Sequence, residues 1–363
     1  MAYTTIDKPS DYFDTKVYTG TQSNNITLTM DNVGWVWMKN RTNSGNNILM
    51  DVVRGGNNSN SQKPVLVSNT GGAEQGSDIT ATGGVAFGST STVIGSDNGG
   101  YNYNNSTSSS YVAWHWGTGT SFTNDASSTS IGTIDSAGSA SDDSGFSIVS
   151  YTGTGSAGTI KHGLNSVPSM MIIKRRDATA DWIVYHDKNT AAPETDYLIL
   201  SSTAATADYA DHFNDTAPTS SLFTVGSDAG VNASSGTFIA YCFAEKQGYS
   251  KFGSYKGNGN ADGTFVYTGF KPAFFLVKRS DSTTSWTLLD NKRDPFNVTT
   301  ERLFPNENVA GSVGTNANTD FLSNGVKIRV NHNNFNTSGG TYIYMAFAEN
   351  PFTTSTGVPA TAR

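Results

Sequence analysis

Apolar and polar positions alternate in short bursts along this chain. The clearest burst is TYIYMAFAE (341–349). There Tyr342, Tyr344, Ala346 and Ala348 point one way, and Ile343, Met345, Phe347 and Glu349 the other, as the two-residue period of a strand requires. Both sets are largely apolar. That predicts a strand covered on each face, either central in its sheet or at a junction between units. Related bursts are GTFIAYCFAE (236–245) and SYVAWHWG (110–117). Turn-forming Asn, Ser, Asp and Gly separate the bursts, the pattern of many short strands in a sandwich or jelly roll. No segment keeps a 3.6-residue apolar period through three turns, so little helix is predicted.

The bursts repeat. Tyr151 and Tyr255, Lys174 and Lys278, Trp182 and Trp286, and Phe243 and Phe347 all stand 104 positions apart (278 − 174, for example). That offset is the length of one small domain. A first copy is looser. VYTGTQ (17–22) matches the Tyr-x-Gly phrase, and GWVWMKNR (34–41) matches the Lys strand, with Trp35 near the position of Met170 or Phe274. ILMDVVRGG (48–56) stands where the later copies have a Trp-led strand. The interval from Lys39 to Lys174 is 135, so the first copy carries about thirty extra residues, a plausible set of loop insertions. The period is too long for a propeller blade of about 40–50 residues. The expected fold is all-β: three tandem β-sandwich, jelly-roll-like modules in a string. Their expected bounds are 1–124, 146–250 and 251–352, with a Gly/Ser/Asp-rich linker at 125–145 and a tail at 353–363.

Composition narrows the function classes. Aromatic residues reach 11% while charged residues are only 15%, enough ring surface for cores and too little charge for a disordered chain. The net charge of −7 argues against a nucleic-acid partner, which needs clustered Lys and Arg. The richest basic stretch, IIKRRD (172–177), is read as a solvated strand end. No basic and apolar leader opens the chain and no apolar run nears the ~20 residues of a spanning helix, so synthesis in a cytoplasm without membrane insertion is expected.

Candidate chemistry is sparse. Cys242 is the lone cysteine and sits in an apolar strand, where a small inert core residue is expected. His115, His162, His186, His212 and His332 form no zinc spacing. His186-Asp187 is the best-placed pair, aligned with Leu289-Asp290, and reads as a strand end facing water. NGNADG (258–263) resembles the start of a calcium loop, but its twelfth position is Gly269 instead of Glu, so a plain turn is expected. No metal, cofactor or catalytic residue is assigned. One loop, GGYNYNNSTSSSY (99–111), combines rings and amides. Tyr101, Asn102, Tyr103, Asn104 and Asn105 are its candidate surface-binding residues, with rings to stack and amides to hydrogen-bond.

The phrases YTG, P-x-[FM]-[FM]-x-[VI]-K-R, W-x-x-x-x-D and SGGTYIYMAFAENPF, spread over 11–352, resemble a repeated module of tailed-bacteriophage virion proteins, the tail fibre and phage structural proteins. The resemblance implies a non-enzymatic virion appendage, a tail fibre or spike subunit for host-surface attachment, located on the tail or outer surface of the virion. An alternative is a capsid-exterior or tail structural protein that binds other virion proteins. A third is a polysaccharide-degrading tail enzyme. Expected partners are other virion proteins, further copies of the chain (a trimer, by analogy with fibres) and a host-surface glycan or protein. The divergent first module is the expected virion-facing one, separable from the other two.

Overall fold

The computed structural model describes residues 2–22, 25–55, 64–75, 85–95 and 105–361. Its regular elements are almost all strands, and every pairing between named strands is antiparallel. Three large sheets share one internal order. In the first, the opening strand Phe13–Thr19 pairs with the closing strand Ser110–Gly117. That strand pairs with the Lys strand Val33–Asn40, and the Lys strand with a fourth strand, Asn47–Asp51. The second sheet repeats the order with Phe146–Thr152, Thr237–Phe243, Met170–Arg175 and Trp182–His186. The third repeats it with Ser250–Lys256, Thr341–Pro351, Phe270–Arg279 and Thr287–Asp290.

A small sheet covers the outer face of each large one, and each such pair is called a unit below. In the first unit Leu28, Val85, Phe87 and Ile94 of the small sheet close on Val36, Met38, Ile48 and Met50. Ile160, Phe223 and Val225 do the same in the second, and Val266, Phe321, Val326 and Ile328 in the third.

The inner faces of all three large sheets meet in one core. Trp35, Trp37, Trp114 and Trp116 come from the first unit, Phe146, Ile172, Tyr241 and Phe243 from the second, and Phe274, Leu276, Met345 and Phe347 from the third. Rings cross the junctions. Trp35 stacks on Tyr241 at 4.6 Å, Phe13 on Phe347 at 5.0 Å, and Phe243 meets Phe347 edge-on at 6.2 Å. Pairs of this kind add to the burial of their area. The string of separable modules is therefore corrected: the sandwiches share their largest apolar surface. The two faces of 341–349 explain themselves here. Tyr342, Tyr344, Ala346 and Ala348 lie in the unit's own core, while Ile343, Met345 and Phe347 lie in the shared one.

The segment expected to be a linker, 125–145, is also corrected. It holds a short helix, Ala126–Thr129, and a strand, Ser136–Ser141, paired on both sides. Small Ser, Ala and Gly side chains disguised it, because ladder hydrogen bonds are made by backbone whatever the side chain. With Thr120–Asn124 outside this strand, and with Asp196–Ile199 and Ala207–Asp208 on the opposite edge, the second large sheet reaches eight strands.

Each Tyr-x-Gly phrase ends the opening strand in the same way. The ring lies flat on a closing-strand ring: Tyr18 on Tyr111, Tyr151 on Phe238, and Tyr255 on Tyr342, at 5.1, 5.0 and 5.0 Å. The glycine then allows a close backbone approach. A Cβ at Gly153 would stand 2.3 Å from the carbonyl oxygen of Ala233, and one at Gly257 2.2 Å from that of Thr337.

Candidate functional site

Several buried polar groups join the units. In the basic strand ends, Lys39, Lys174 and Lys278 occupy equivalent positions, facing Val112, Ile239 and Ile343 in the closing strands. All three are fully buried. Lys174 Nζ donates to the carbonyls of Arg175 (2.8 Å) and Ala180 (3.0 Å) in its own unit and Gly71 (3.1 Å) in the first. Lys278 donates to Thr284 O at 2.8 Å and to Thr203 O of the second unit at 3.1 Å. Lys39 donates to Gly45 O and, at 3.5 Å, to Glu307 O of the third unit. Burial pulls each ammonium down to about 8. The reading of IIKRRD as a solvated end is thus corrected for Lys174. Arg176 forks onto Glu74 of the first unit with two 2.9 Å bonds, and Arg175 pairs locally with Asp177.

The fourth strands repeat the cycle. Trp182 Nε1 donates to Val67 O at 2.9 Å, and Trp286 Nε1 to Ile199 O at 2.9 Å. The first unit has Asn47 at that place, opposite Lys39, and its Nδ2 donates to Phe304 O at 3.1 Å. The direction is the same throughout: second to first, third to second, first to third.

At the far end of the fourth strands a second set of bonds runs the other way round. Asp51 faces Trp35, His186 faces Met170 and Asp290 faces Phe274. So His186, not Asp187, is the counterpart of Asp290, which corrects the alignment of His186-Asp187 with Leu289-Asp290. Asp51 accepts from Tyr241 Oη at 2.8 Å, Asp290 accepts from Trp114 Nε1 at 3.1 Å, and His186 Nε2 lies 3.1 Å from Tyr344 O. His186 is buried, so it is not a strand end facing water. Asp51 and Asp290 also hold Arg54 and Arg293 in fully buried pairs at 2.5 Å. An ion pair so buried is stable only with its remaining hydrogen bonds made. Arg54 and Arg293 make theirs to the carbonyls of Leu49 and Leu288.

The other candidates find plain structural places. Cys242 is buried and its thiol is pushed up to about 12, so it is not a nucleophile at neutral pH. His115 is buried, and burial together with the nearby charge of Lys16 holds it down to about 3. His162 Nε2 lies against Thr219 O, and His332 Nδ1 accepts from the Asn334 amide. In NGNADG, Asn258 and Asn260 close successive turns onto the amides of Asn260 and Asp262. Lys327 pairs with Asp262 at 2.8 Å. No cluster of three metal-binding side chains occurs among the described residues.

Of the proposed surface-binding residues, Tyr101, Asn102, Tyr103 and Asn104 lie outside the described residues. Asn105 is corrected: it is buried and accepts from the Thr21 amide at 2.7 Å, as Asn232 and Asn336 do for Thr154 and Asn258. It fastens the turn after Tyr-x-Gly instead of facing a ligand.

Besides a hollow of about 370 Å³ lined by Phe122, Asp142, Asp143 and Lys161, the second unit carries two surface concavities. One is a polar groove of about 710 Å³ that includes Asn124, Ser136, Ser150 and Tyr151 and ends at Arg176, whose guanidinium is already taken by Glu74. The other is a cleft of about 350 Å³. Its floor is Ile183 and Ile199, paired across adjacent strands. Two one-turn helices, Ala210–Phe213 and Ala229–Asn232, bring His212 and Asp228 to its wall, with His212 Nε2 3.4 Å from Asp228 Oδ1. Tyr197 and Tyr209 meet the imidazole edge-on at 4.2 and 4.9 Å, and Asp181 completes the rim. Burial pulls His212 below its ordinary pKa while Asp228 pulls it up. No sequence motif marks this cluster; only the folding of the two helices onto the sheet assembles it.

No curated protein matches the chain. The sequence profile described as Domain of unknown function (DUF7483) matches residues 8–351, running through all three units, and the chain belongs to that family.

Proposed function

We propose that this protein is a non-enzymatic structural subunit of a bacteriophage virion, a tail fibre or spike component that contacts the host surface. The resemblance of the repeated phrases to virion modules supports the reading. The structural observation that carries it is the commitment of the buried ionic groups to the seams. Lys39, Lys174, Lys278, Asp51 and Asp290 bind their own or a neighbouring unit, which favours a rigid body over a reactive one. Further copies would assemble through outer surfaces, because the inner faces are already filled by the shared core. Purified virions should contain the protein, and the isolated protein should bind susceptible cells and block infection. Its absence from virions would overturn the reading.

The capsid-exterior or tail structural role has its own support. Phe296 and Val313 are 79% and 72% exposed on the third unit, with Val298 also exposed. Exposed apolar groups of this kind suit a protein partner. A protein that is present in virions yet indifferent to host cells would favour that role.

A further inference from the structure

The cleft beside His212 has an unusual polarity. Its carboxylates are Asp181 and Asp228. Asp228 accepts from the Gly230 amide at 2.7 Å and lies beside His212; no described residue donates to Asp181. Lys174 feels the charge of Asp181, but its ammonium donates to backbone carbonyls. A neutral His212 directs its Nε2 proton to Asp228, so Nδ1 carries a lone pair, and that nitrogen is buried without a partner. His212 itself is 5% exposed. Tyr209, 43% exposed, stands at the mouth, and its hydroxyl feels the charge of Asp211. Tyrosine hydroxyls and the His212 Nε2 proton, held by Asp228, aside, the side-chain polar atoms of the cleft are acceptors.

An acceptor-rich, negatively charged site with aromatic walls suits a ligand that only donates. An alkylammonium group has three donors, no acceptor and a positive charge, and cations are drawn to tyrosine rings. A neutral polyol would bring acceptors for which the cleft offers only tyrosine hydroxyls as donors. The volume of about 350 Å³ lies at the lower end of small-molecule sites, roughly 300–1,000 Å³. We propose that the cleft formed by Asp181, Tyr197, Tyr209, His212 and Asp228 binds a small organic ammonium ion. This assignment is independent of where the protein works.

The test uses the purified full chain, with n-butylammonium chloride as the probe and sodium chloride and n-butanol as controls. Calorimetry and ligand-observed NMR should show saturable binding of butylammonium and none of butanol. Asp181→Asn should weaken binding about tenfold or more without lowering the unfolding midpoint, since Asp181 holds no structural bond. Tyr209→Ala should weaken it less. The proposal is overturned if butylammonium does not saturate the protein up to about 10 mM, a weak-binding limit. It is equally overturned if butanol binds as well, or if Asp181→Asn binds like the parent.

Discussion

Trp114 donates its indole N–H to Asp290 Oδ2 at 3.1 Å, tying the closing strand of the first unit to the fourth strand of the third. Asp290 also holds Arg293 in a fully buried pair. The two halves of this arrangement differ in cost. Trp114→Phe removes one donor and should lower stability by about 1–3 kcal/mol. Asp290→Ala leaves the buried Arg293 guanidinium with only Glu301, 3.7 Å away, and should cost about 3–5 kcal/mol. Urea unfolding of the two variants should rank them in that order.

The second unit has His186 and Asn189 where the others have the Asp51–Arg54 and Asp290–Arg293 pairs. His186→Asp alone places an unpaired carboxylate in the core and should be strongly destabilising. Adding Asn189→Arg supplies its counterion. The double variant should recover at least about 1 kcal/mol of the loss, a coupling that a double-mutant cycle reads directly.

The buried lysines make stability depend on pH in an uncommon direction. Lys39, Lys174 and Lys278 sit near 8 in the folded protein, below their unfolded value. Above pH 8 the unfolded chain therefore binds protons that the folded one has released. Stability should rise from pH 8 to 9, by at most about 1 kcal/mol per lysine per pH unit. From about pH 8.5 upward, where the unfolded thiol begins to release its proton, the raised Cys242 thiol works in the opposite sense. Lys174→Met should remove about a third of the slope, and it should also cost about 1–3 kcal/mol by leaving carbonyls without a donor. Urea midpoints at several pH values measure both effects.

Gly153→Ala should destabilise by about 1–3 kcal/mol, the usual penalty for forcing atoms into a filled site, because the carbonyl of Ala233 stands 2.3 Å from the new methyl. Substitution of Gly339, around whose Cβ position nothing lies within 4 Å, meets no such clash and tests only its left-handed backbone, φ 73°. Thermal unfolding should separate a steric penalty from a conformational one.

Removing residues 1–124 takes Trp35, Trp37, Trp114 and Trp116 out of the shared core. The remaining fragment should bind a hydrophobic dye and lose its near-ultraviolet dichroism, as loosely packed states do. A fragment with sharp, cooperative unfolding would show that the seams are dispensable.

Much of this was legible. The constant spacing of Tyr151, Lys174, Trp182 and Phe243 from their partners exposed the repeat, because the same backbone positions need the same side chains. The alternation in 341–349 announced two buried faces. What alternation cannot record is the identity of the covering surface, so the meeting of Phe347 with Phe13 and Trp116 stayed hidden. Ser136–Ser141 read as linker because ladder pairing leaves no mark on small side chains. His212 and Asp228 are distant enough in sequence to look unrelated, and one-turn helices carry too little periodicity to predict. Asn47 concealed its kinship with Trp182 and Trp286 because a side-chain amide and an indole present the same donor.

The seams run from first to third, third to second and second to first, so every unit has two neighbours and none has a free inner face. In an open stack of repeats, adding or losing one copy lengthens or shortens the stack. Here a gained copy would find no vacancy, and a lost one would break seams on both sides. Duplication and deletion, the easy changes for a repetitive gene, are closed to this chain. It is left to vary in the segments that join its strands, such as the two one-turn helices that wall the second unit's cleft.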